Sequence, residues 1–331
     1  MSTQGGTEIP FGVSADQSRF RLMELPPELV SLLASPHPPV LQFKSSPSGV
    51  AALCLPDKTF QLRQVQTSNS VHIVQPDVSE SGGEEFIPQH GIAAIAQCTS
   101  VLEIPGIMSE SALSYLKTTL PVYSGVTEQQ SLSSQGLSRR KAYDDIPLSN
   151  AEVDDAWKEV CAFELDDGRK CYQPSAKAIL RTWTELGSLA AIEKINLAKA
   201  IPLHSVKKML DSMEDCPRSL GQALLDNLAT PVNDHISLDM NRTLTLIGSS
   251  LIEDLEEFGR SDFMAQWKAL VPDQWVSGVS IDLLADVWEP MTGTNTIRLR
   301  NAPSKTSSSK AEPAATGKRK WHEKFKQARN K

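Results

Sequence analysis

The side chains best suited to chemistry lie near the end of the chain, where basic residues are interleaved with aromatic ones. Residues 318–331 carry seven Lys or Arg against one acidic residue, in a chain whose net charge is −7. Trp321 and Phe325 would share one helical face and could stack on unpaired bases or enter a partner's groove. A nuclear-localisation patch or a solvated tail explains the same pattern. The residues of this candidate DNA-binding or nuclear-targeting tail are Lys318, Arg319, Lys320, Trp321, Lys324, Phe325, Lys326, Arg329 and Lys331.

Motifs typical of enzymes are missing from the sequence. It contains no G-x-x-x-x-G-K, G-x-G-x-x-G, G-x-S-x-G or H-E-x-x-H pattern, and therefore none of the phosphate cradles, nucleophile elbows or zinc helices that these motifs build. The six histidines lie in separate segments, without a Cys or Asp partner at a suggestive spacing. We expect a chain that is not an enzyme and that binds no cofactor or metal.

The cysteines indicate a reducing compartment. Cys54, Cys98, Cys161, Cys171 and Cys216 show no C-x-x-C spacing, and an odd count favours reduced, buried thiols. The third and fourth flank a predicted hairpin, but burial is favoured over zinc ligation because no histidines complete a set of four. No run approaches about 18 uninterrupted apolar residues, and the first residues do not resemble a signal peptide. We expect neither secretion nor a membrane span.

The first ~75 residues are rich in short strands. Apolar runs at residues 40–43 and 50–55 are separated by turn compositions. Residues 60–65 and 71–74 alternate apolar with polar side chains around the turn-like segment 67–70, which predicts a β-hairpin. The apolar residues of these strands are Leu41, Phe43, Leu53, Leu55, Phe60, Leu62, Val65, Val71 and Ile73.

This is little chain for a closed barrel with its own core, and open strand edges invite pairing with another chain. We therefore interpret the nine apolar residues as partner-docking positions in a module that partner chains complete. A self-sufficient small β domain remains the alternative on physical grounds.

Downstream of residue 88 the pattern becomes helical, and one order of elements recurs. Ser149 and Glu152 form a predicted capping box, the helix they start carries one apolar stripe, and a hairpin with an Asp-Gly turn at residues 166–168 follows. A helix that leads into a hairpin is typical of a winged helix, and the same order returns twice more. An irregular helical domain with occasional strands is the alternative.

The sequence thus predicts an α+β fold, in which an N-terminal β-rich partial barrel completed by partner chains precedes a tandem array of winged-helix-like domains. The predicted divisions are a flexible N-terminus (1–18), a β-rich docking module (19–75), a linker (76–88), three winged-helix-like units (89–173, 174–239 and 240–300) and a disordered basic tail (301–331).

Charge argues against base readout by these units. The helix at residues 149–160 carries four acidic residues against Lys158 alone, which is the wrong sign for a phosphate backbone. The corresponding helix at 217–228 carries only Arg218 and Asp226. We expect protein contacts, or weak nonspecific association with DNA.

Several of these segments resemble a known family. Residues 21–30, 52–65, 68–71 and 146–157, and above all the run K-T-F-x-L-R-x-V-x-x-S-N-S at 58–70, are similar to the Dcc family, named for defective sister chromatid cohesion. The likeness weakens past about residue 300.

The resemblance implies a noncatalytic subunit of an alternative replication factor C, the chromosome transmission fidelity clamp loader. Such proteins join a small accessory subunit and the large AAA+ ATPase subunit in a composite β-barrel, which makes residues 41–74 the docking strands here. The resemblance also implies a nuclear protein that engages DNA polymerase epsilon, touches DNA, and indirectly serves loading of the clamp PCNA and establishment of cohesion.

One departure from the family is visible. Family members commonly carry a further C-terminal winged helix, whereas this sequence passes after Arg300 into a segment rich in Pro, Ser and Lys. Whether the basic tail replaces that domain is open. The alternative function, from another class, is a free-standing winged-helix DNA-binding regulator.

Overall fold

A computed structural model gives an α+β fold. It describes residue 9 and residues 11–77, 91–125, 137–165, 168–255, 257–286, 288–290 and 296–300. The described strands form one large sheet in the N-terminal third and three small sheets among the helices that follow.

The N-terminal sheet is built from strands of very unequal length. Two short strands and a helix come first, then a short hairpin, then two long strands. These elements are β1 (Phe11–Val13), β2 (Leu22–Glu24), α1 (Pro27–Leu33), β3 (Gln42–Ser45), β4 (Ala51–Cys54), β5 (Thr59–Asp77) and β6 (Gly91–Ile107). The sheet order is β1-β6-β5-β4-β3, and β2 pairs with β6 beside β1. No pairing closes this sheet into a barrel among the described strands.

The hairpin predicted around residues 67–70 is wrong, because β5 continues through these residues as one strand of 19 residues. Its antiparallel partner is β6, with register shifts between Gln66 and Val71 and between Ile73 and Val74. A long partner strand lets the turn-like residues form an irregularity within a ladder instead of reversing the chain. Local turn propensity is thus overridden by long-range pairing.

The limits of the N-terminal module also differ from the prediction. β1 lies within the segment expected to be flexible, and pairs in parallel with residues 92–94 of β6. β5 extends through Asp77 into the predicted linker. β6 belongs to the large sheet, whereas the sequence prediction places residues 89–173 in the first winged-helix-like unit. Residues 78–90 lie outside the described residues.

One end of the large sheet has its own core. Leu29 of α1, Leu53 of β4 and Phe60 of β5 are at most 3% exposed and form one cluster with Leu55. α1 begins at Pro27, directly after Pro26 at its N-cap position, and at the first position of a helix a missing N–H costs nothing. This end is therefore a small packed layer of helix on sheet.

The remainder of the chain repeats one topology three times. In each unit a helix is followed by a strand, by further helical segments and by a two-stranded hairpin, and the last strand lies in the middle of a three-stranded sheet. The further helical segments number two in the first and second units and three in the third. The first unit consists of α2 (Ala112–Thr119), β7 (Val122–Tyr123), α3 (Arg139–Asp145), α4 (Asn150–Glu159), β8 (Phe163–Leu165) and β9 (Lys170–Pro174).

The second and third units follow directly. The second consists of α5 (Ala176–Ile192), β10 (Ile201–Pro202), α6 (Leu203–Asp211), α7 (Arg218–Leu228), β11 (Ala229–Val232) and β12 (His235–Leu238). The third consists of α8 (Met240–Leu255), β13 (Glu257–Gly259), α9 (Arg260–Ala269), two 3-10 helices (Asp273–Gly278 and Ile281–Leu284), β14 (Trp288–Pro290) and β15 (Thr296–Leu299). The first strand of a unit pairs antiparallel with the last in these two units and in parallel in the first.

The predicted start of α4 is confirmed. The Ser149 hydroxyl accepts the Glu152 N–H, and the Glu152 carboxylate accepts the Ser149 N–H at 3.1 Å, which completes the capping box. Val153, Ala156 and Trp157 are buried on one face. The helix ends at Glu159, and Cys161 then takes a positive φ of 51°.

The three units, residues 112–300, are called the helical array below. Its second and third units share one continuous core that contains Trp183, Phe263 and Trp267. The first unit has a core of its own around Leu116 and Ile146. Among the described residues, no helix is both long enough and apolar enough to cross a membrane.

Candidate functional site

The part of the sheet away from α1 ends in an unpaired strand edge. β4 pairs with β5 only as far as Leu62, opposite Ala51. In residues 63–66 and 71–77, β5 pairs on one side with β6, and no described strand pairs with the other side of these residues. This other side of residues 63–66 and 71–77 is called the open edge, and the two long strands β5 and β6 are called the ribbon. An unpaired row of backbone N–H and C=O groups is a template for another strand.

Apolar side chains remain in solvent at this end of the sheet. Val71 and Val74 of β5 are 41% and 44% exposed. Phe11 and Val13 of β1, across β6, are more than half exposed. The Phe11 and His72 rings are in T-shaped contact, with their centroids 6.1 Å apart. A group of exposed apolar side chains beside an open edge marks an interaction surface.

Polar cross-strand pairs keep the ribbon in register. The Arg63 guanidinium donates twice to the Glu103 carboxylate, at 3.0 and 2.7 Å. Gln64 donates to the Ser100 hydroxyl at 2.9 Å. Each pair is exposed and contributes a few tenths to about 1 kcal/mol. The pairs thus stabilise the pairing of β5 with β6, while the other side of β5 stays open.

The packed end of the sheet is joined to the helical array by buried polar contacts. The Lys44 ammonium on β3 donates to the carbonyls of Tyr143 and Leu148 at 3.2 and 2.8 Å, and to the Asn150 side-chain oxygen at 2.8 Å. Burial lowers the pKa of the Lys44 ammonium, because a charge is costly away from water.

Thr59 forms the second half of this junction. Its hydroxyl is fully buried, donates to the Glu152 carboxylate at 2.5 Å and accepts the Ser149 N–H at 2.7 Å. The first residue of β5 is thereby bonded to the N-terminal cap of α4. The strand that carries the open edge is fixed at its other end to the first helical unit.

The nine predicted docking residues fall into different environments. Leu53, Leu55 and Phe60 lie in the core against α1, and Leu41 packs partly buried against them, which leaves these residues little surface for a partner. Leu62, Val65 and Ile73 are half-buried on β5. Only Phe43 (62%) and Val71 (41%) are exposed.

A second strand edge is exposed at β3. No described strand pairs with its outer side, and Phe43 there is exposed together with Val40, which is 73% exposed. A groove lined by residues 42–45 and by Asp144 of α3 runs beside it. This edge is four residues long, so the open edge of β5 offers far more backbone for pairing.

The described part of the chain shows no cluster of side chains suited to binding a metal ion. No group of three or more His, Cys, Asp or Glu side chains within the described ranges is arranged to hold a metal ion. Cys161 and Cys171 are free and buried, and burial raises the pKa of each thiol to about 12. A thiol of such high pKa is a poor nucleophile.

The candidate basic tail, Lys318 to Lys331, lies outside the described residues. The acidic helix at residues 149–160 is α4, and its Glu152 is occupied by the junction with Thr59. Asp154 of the same helix accepts from Arg139 and from the Tyr143 hydroxyl.

Sequence reasoning missed the junction and the partner strand of β5. Lys44 and Thr59 stand in polar, turn-flanked positions that look exposed. For β6, a signal was present, since Ile92 to Ala96 form an apolar run directly after Gly91. A run of this kind, bounded by a turn residue, is compatible with a strand.

These features define a class of protein, a multi-unit α+β protein with an open strand edge at one end. A family model described as sister chromatid cohesion protein Dcc1 matches residues 20–301, which is most of the chain, and the chain belongs to this family. The resemblance predicted from the sequence is thereby confirmed. No individual curated protein matches the chain. Membership implies a role in sister chromatid cohesion.

Proposed function

We propose that this chain is a noncatalytic subunit of the chromosome transmission fidelity clamp loader, and that it joins the complex through the open edge of β5. The observation that carries the proposal is that residues 63–66 and 71–77 of a 19-residue strand pair with a strand on one side only within the described chain. Strand addition at such an edge gives affinity through backbone hydrogen bonds and specificity through alternate side chains. Exposed Val71 and Val74 supply the apolar contacts.

The partners on this proposal are the small accessory subunit and the large AAA+ ATPase subunit, whose strands would complete the partial barrel. Family membership supports the choice of complex. The open edge and the exposed apolar side chains around it support strand addition as the mode of assembly.

We propose that the helical array consists of three winged-helix-like units. In its support, the second unit has the order helix, strand, helix, helix and hairpin, with sheet order β10-β12-β11. The first unit has the same order of elements, and the third has two 3-10 helices in place of the last helix. The acidic residues of α4 favour protein contacts over base readout. The array would extend toward DNA polymerase epsilon and make weak, nonspecific contact with DNA.

In this role the protein works in the nucleus, places the loader at the replicating strand and so assists loading of PCNA indirectly. No cofactor is required for it. The junction of Lys44 and Thr59 with α4 supports this bridging role, since it holds the docking sheet and the first helical unit in one orientation.

The decisive experiment is coexpression with the two partner subunits, followed by pull-down of Val71→Asp/Val74→Asp. Both side chains are exposed in the lone chain, so it should fold normally. At an assembled interface the two carboxylates would be buried without partners, at a cost of several kcal/mol. We expect recovery of the partners to fall to background.

A matched control is Val30→Asp/Ile192→Asp, which places the same charges at two exposed apolar positions away from the edge. This control should recover the partners normally. Full recovery with the edge variant, or equal loss with both variants, would reject docking at the open edge.

Deletion after Gly317 tests the contribution of the basic tail to DNA contact. Removing its lysines and arginines should weaken binding to duplex DNA and flatten the dependence of log K on log salt. An unchanged slope in a fluorescence-anisotropy titration would remove the tail from DNA binding.

A further inference from the structure

A groove of about 640 Å³ crosses the second helical unit and reaches the first. Its floor is apolar and buried, formed by Val206 and Leu210 of α6, Leu225 of α7 and Ile236 of β12. Leu203, at the start of α6, also lines the groove and is 45% exposed. An apolar floor with an exposed leucine gives two or three large apolar side chains of a ligand a place to bind.

The groove is held open by hydrogen bonds between separate elements. The Leu203 N–H donates to the Asp234 carbonyl at 2.9 Å, which ties the turn of the β11–β12 hairpin to the start of α6. The Asn227 side chain on α7 donates to the carbonyls of Lys158 and Glu159 at 2.7 and 2.9 Å. The second contact fixes the end of α4 against α7 and so brings Lys158 to the groove.

Two lysines that line the groove have ammonium groups without a partner in the described part of the chain. Lys158 and Lys207 line it and are exposed, and neither ammonium group has a hydrogen-bond or ion-pair partner among the described residues. By contrast, Lys208, the next residue on α6, is paired with Glu193 at 2.6 Å. Two free cations beside an apolar floor select for acidic side chains flanking apolar ones.

The other charges of the groove are one ion-paired guanidinium and one hydrogen-bonded carboxylate. Arg218 is paired with Asp211 at 2.6 Å, and Asp226 accepts from the Gln222 side chain at 2.7 Å. With Lys158 and Lys207 the lining is net positive, and a nucleic-acid backbone would leave the apolar floor unused. The combination fits a peptide better than a phosphate chain.

We propose that this groove binds a short acidic segment of a partner protein that carries at least two large apolar side chains. The apolar side chains bind over Val206, Leu225 and Ile236, and the carboxylates pair with Lys158 and Lys207. Because Lys158 comes from the first unit, the site exists only while the two units are packed together. The proposal is independent of strand pairing at the open edge.

The test uses the full chain and a panel of fluorescein-labelled dodecapeptides, in which two leucine or phenylalanine residues are separated by one, two or three glutamates. A second panel has lysine in place of glutamate. We expect fluorescence anisotropy to show saturable binding by at least one acidic peptide and at least about tenfold weaker binding by its lysine counterpart.

Lys158→Glu/Lys207→Glu should weaken the acidic peptide by about tenfold or more, and Leu203→Ser by several-fold. Lys177→Glu/Lys199→Glu makes the same charge change at exposed lysines that do not line the groove, and should keep the affinity within about twofold.

Three results would overturn the proposal. The first is the absence of binding by every acidic peptide up to about 1 mM. The second is equal affinity for the acidic and basic panels, or no effect of the Lys158 and Lys207 substitutions. The third is binding of a 20-base-pair duplex that depends on both lysines while no peptide binds, since the groove would then contact nucleic acid.

Discussion

The helical array and the ribbon differ in how far they bury their large apolar side chains. In the array, the second and third units bury three tryptophans, Trp183, Trp267 and Trp275, in one continuous core. In the ribbon, Val71 and Val74 stay more than 40% exposed, on a strand pair with one open side. The array therefore has a complete core in the lone chain, whereas the ribbon has apolar surface left to bury.

The difference separates a part of the chain that buries its large apolar side chains by folding from a part that leaves apolar side chains in solvent. Side-chain burial stabilises a domain in proportion to the apolar area removed from water, and the array gains that area internally. The ribbon is held by its ladder and by exposed polar pairs, which contribute little each. Its remaining apolar area is available to a partner.

The largest expected effect is loss of a tryptophan from the array core. Trp267 is fully buried, and its indole N–H donates to the Leu244 carbonyl at 3.1 Å. Trp267→Ala should lower the free energy of unfolding by about 3–5 kcal/mol, measured by chemical denaturation with circular dichroism. Val74→Ala in the ribbon should change it by less than about 0.5 kcal/mol. Similar losses of unfolding free energy at Trp267 and Val74 would contradict the difference in burial between the array and the ribbon.

Glycine substitutions sharpen the account of how tightly the array is packed. A Cβ at Gly248 of α8 would lie 2.5 Å from Trp267 Cζ2, whereas a Cβ at Gly187 of α5 would meet nothing within 4 Å. Gly248→Ala should therefore destabilise by about 1–3 kcal/mol. Gly187→Ala should stabilise by up to about 1 kcal/mol, since alanine favours the helix. If both substitutions shift the midpoint of thermal unfolding in the same direction, that result would contradict close packing around Trp267.

The junction between the two regions can be broken at Lys44. Lys44→Met keeps an unbranched side chain as far as the ε position but removes the ammonium group, so the acceptors on Tyr143, Leu148 and Asn150 lose their donor. Unsatisfied groups in partly buried positions cost on the order of 1–3 kcal/mol. Hydrogen exchange of the amides of α3 and α4 should accelerate.

Lys58→Met is the matched control for the junction, because Lys58 is exposed and its ammonium makes no described contact. Exchange that is equally fast in both variants would show that the sheet and the array are not coupled through Lys44.

Alkaline pH should weaken the array through its buried thiols. Burial raises the pKa of Cys161 and of Cys171 to about 12 from an ordinary value of 9.0, so between these pH values the folded chain keeps protons that the unfolded chain releases. Their contribution to stability is complete below pH 9 and declines as pH rises toward 12, by up to about 1.4 kcal/mol per pH unit for each thiol. Urea denaturation at several pH values measures the slope.

Cys161→Ala should reduce that alkaline slope. Its control is Cys161→Ala at pH 7, where the substitution shifts the free energy of unfolding without changing the dependence on pH. An unchanged slope above pH 9 would exclude this thiol as a cause.

The smallest effect is expected at the open edge itself. In the absence of partners, Val71→Asp and Val74→Asp should each change the free energy of unfolding by less than about 0.5 kcal/mol, because both side chains are exposed. A loss above about 2 kcal/mol would mean that the ribbon already buries these valines in the lone chain. Docking at this edge would then lose its physical basis.

The sequence predicted the helical array better than the sheet. The capping residue Ser149 and the buried stripe from Val153 to Trp157 follow local rules, and the structure contains them. A cap, a stripe or a tight turn involves residues a few positions apart, so its signal can be read directly from the chain.

The candidate site was predicted only in part. The sequence indicated an incomplete β-rich module, and the structure has an open edge on β5. The sequence did not distinguish Leu53 and Phe60, which form the core with α1, from Val71 at the surface. Both kinds of residue are apolar side chains in strands, and their burial depends on which element covers them.

By itself the sequence determined the cap and the buried face of α4 and the family, because each of these depends on residue types at short spacing. Only the tertiary structure decided that β5 is one strand paired with β6 and that Lys44 bonds to Leu148, 104 positions away. Such contacts form between segments that are distant along the chain, and their free energy depends on the packing of everything between them. For that reason an incomplete sheet could be expected from the sequence, but the position of the open edge could not.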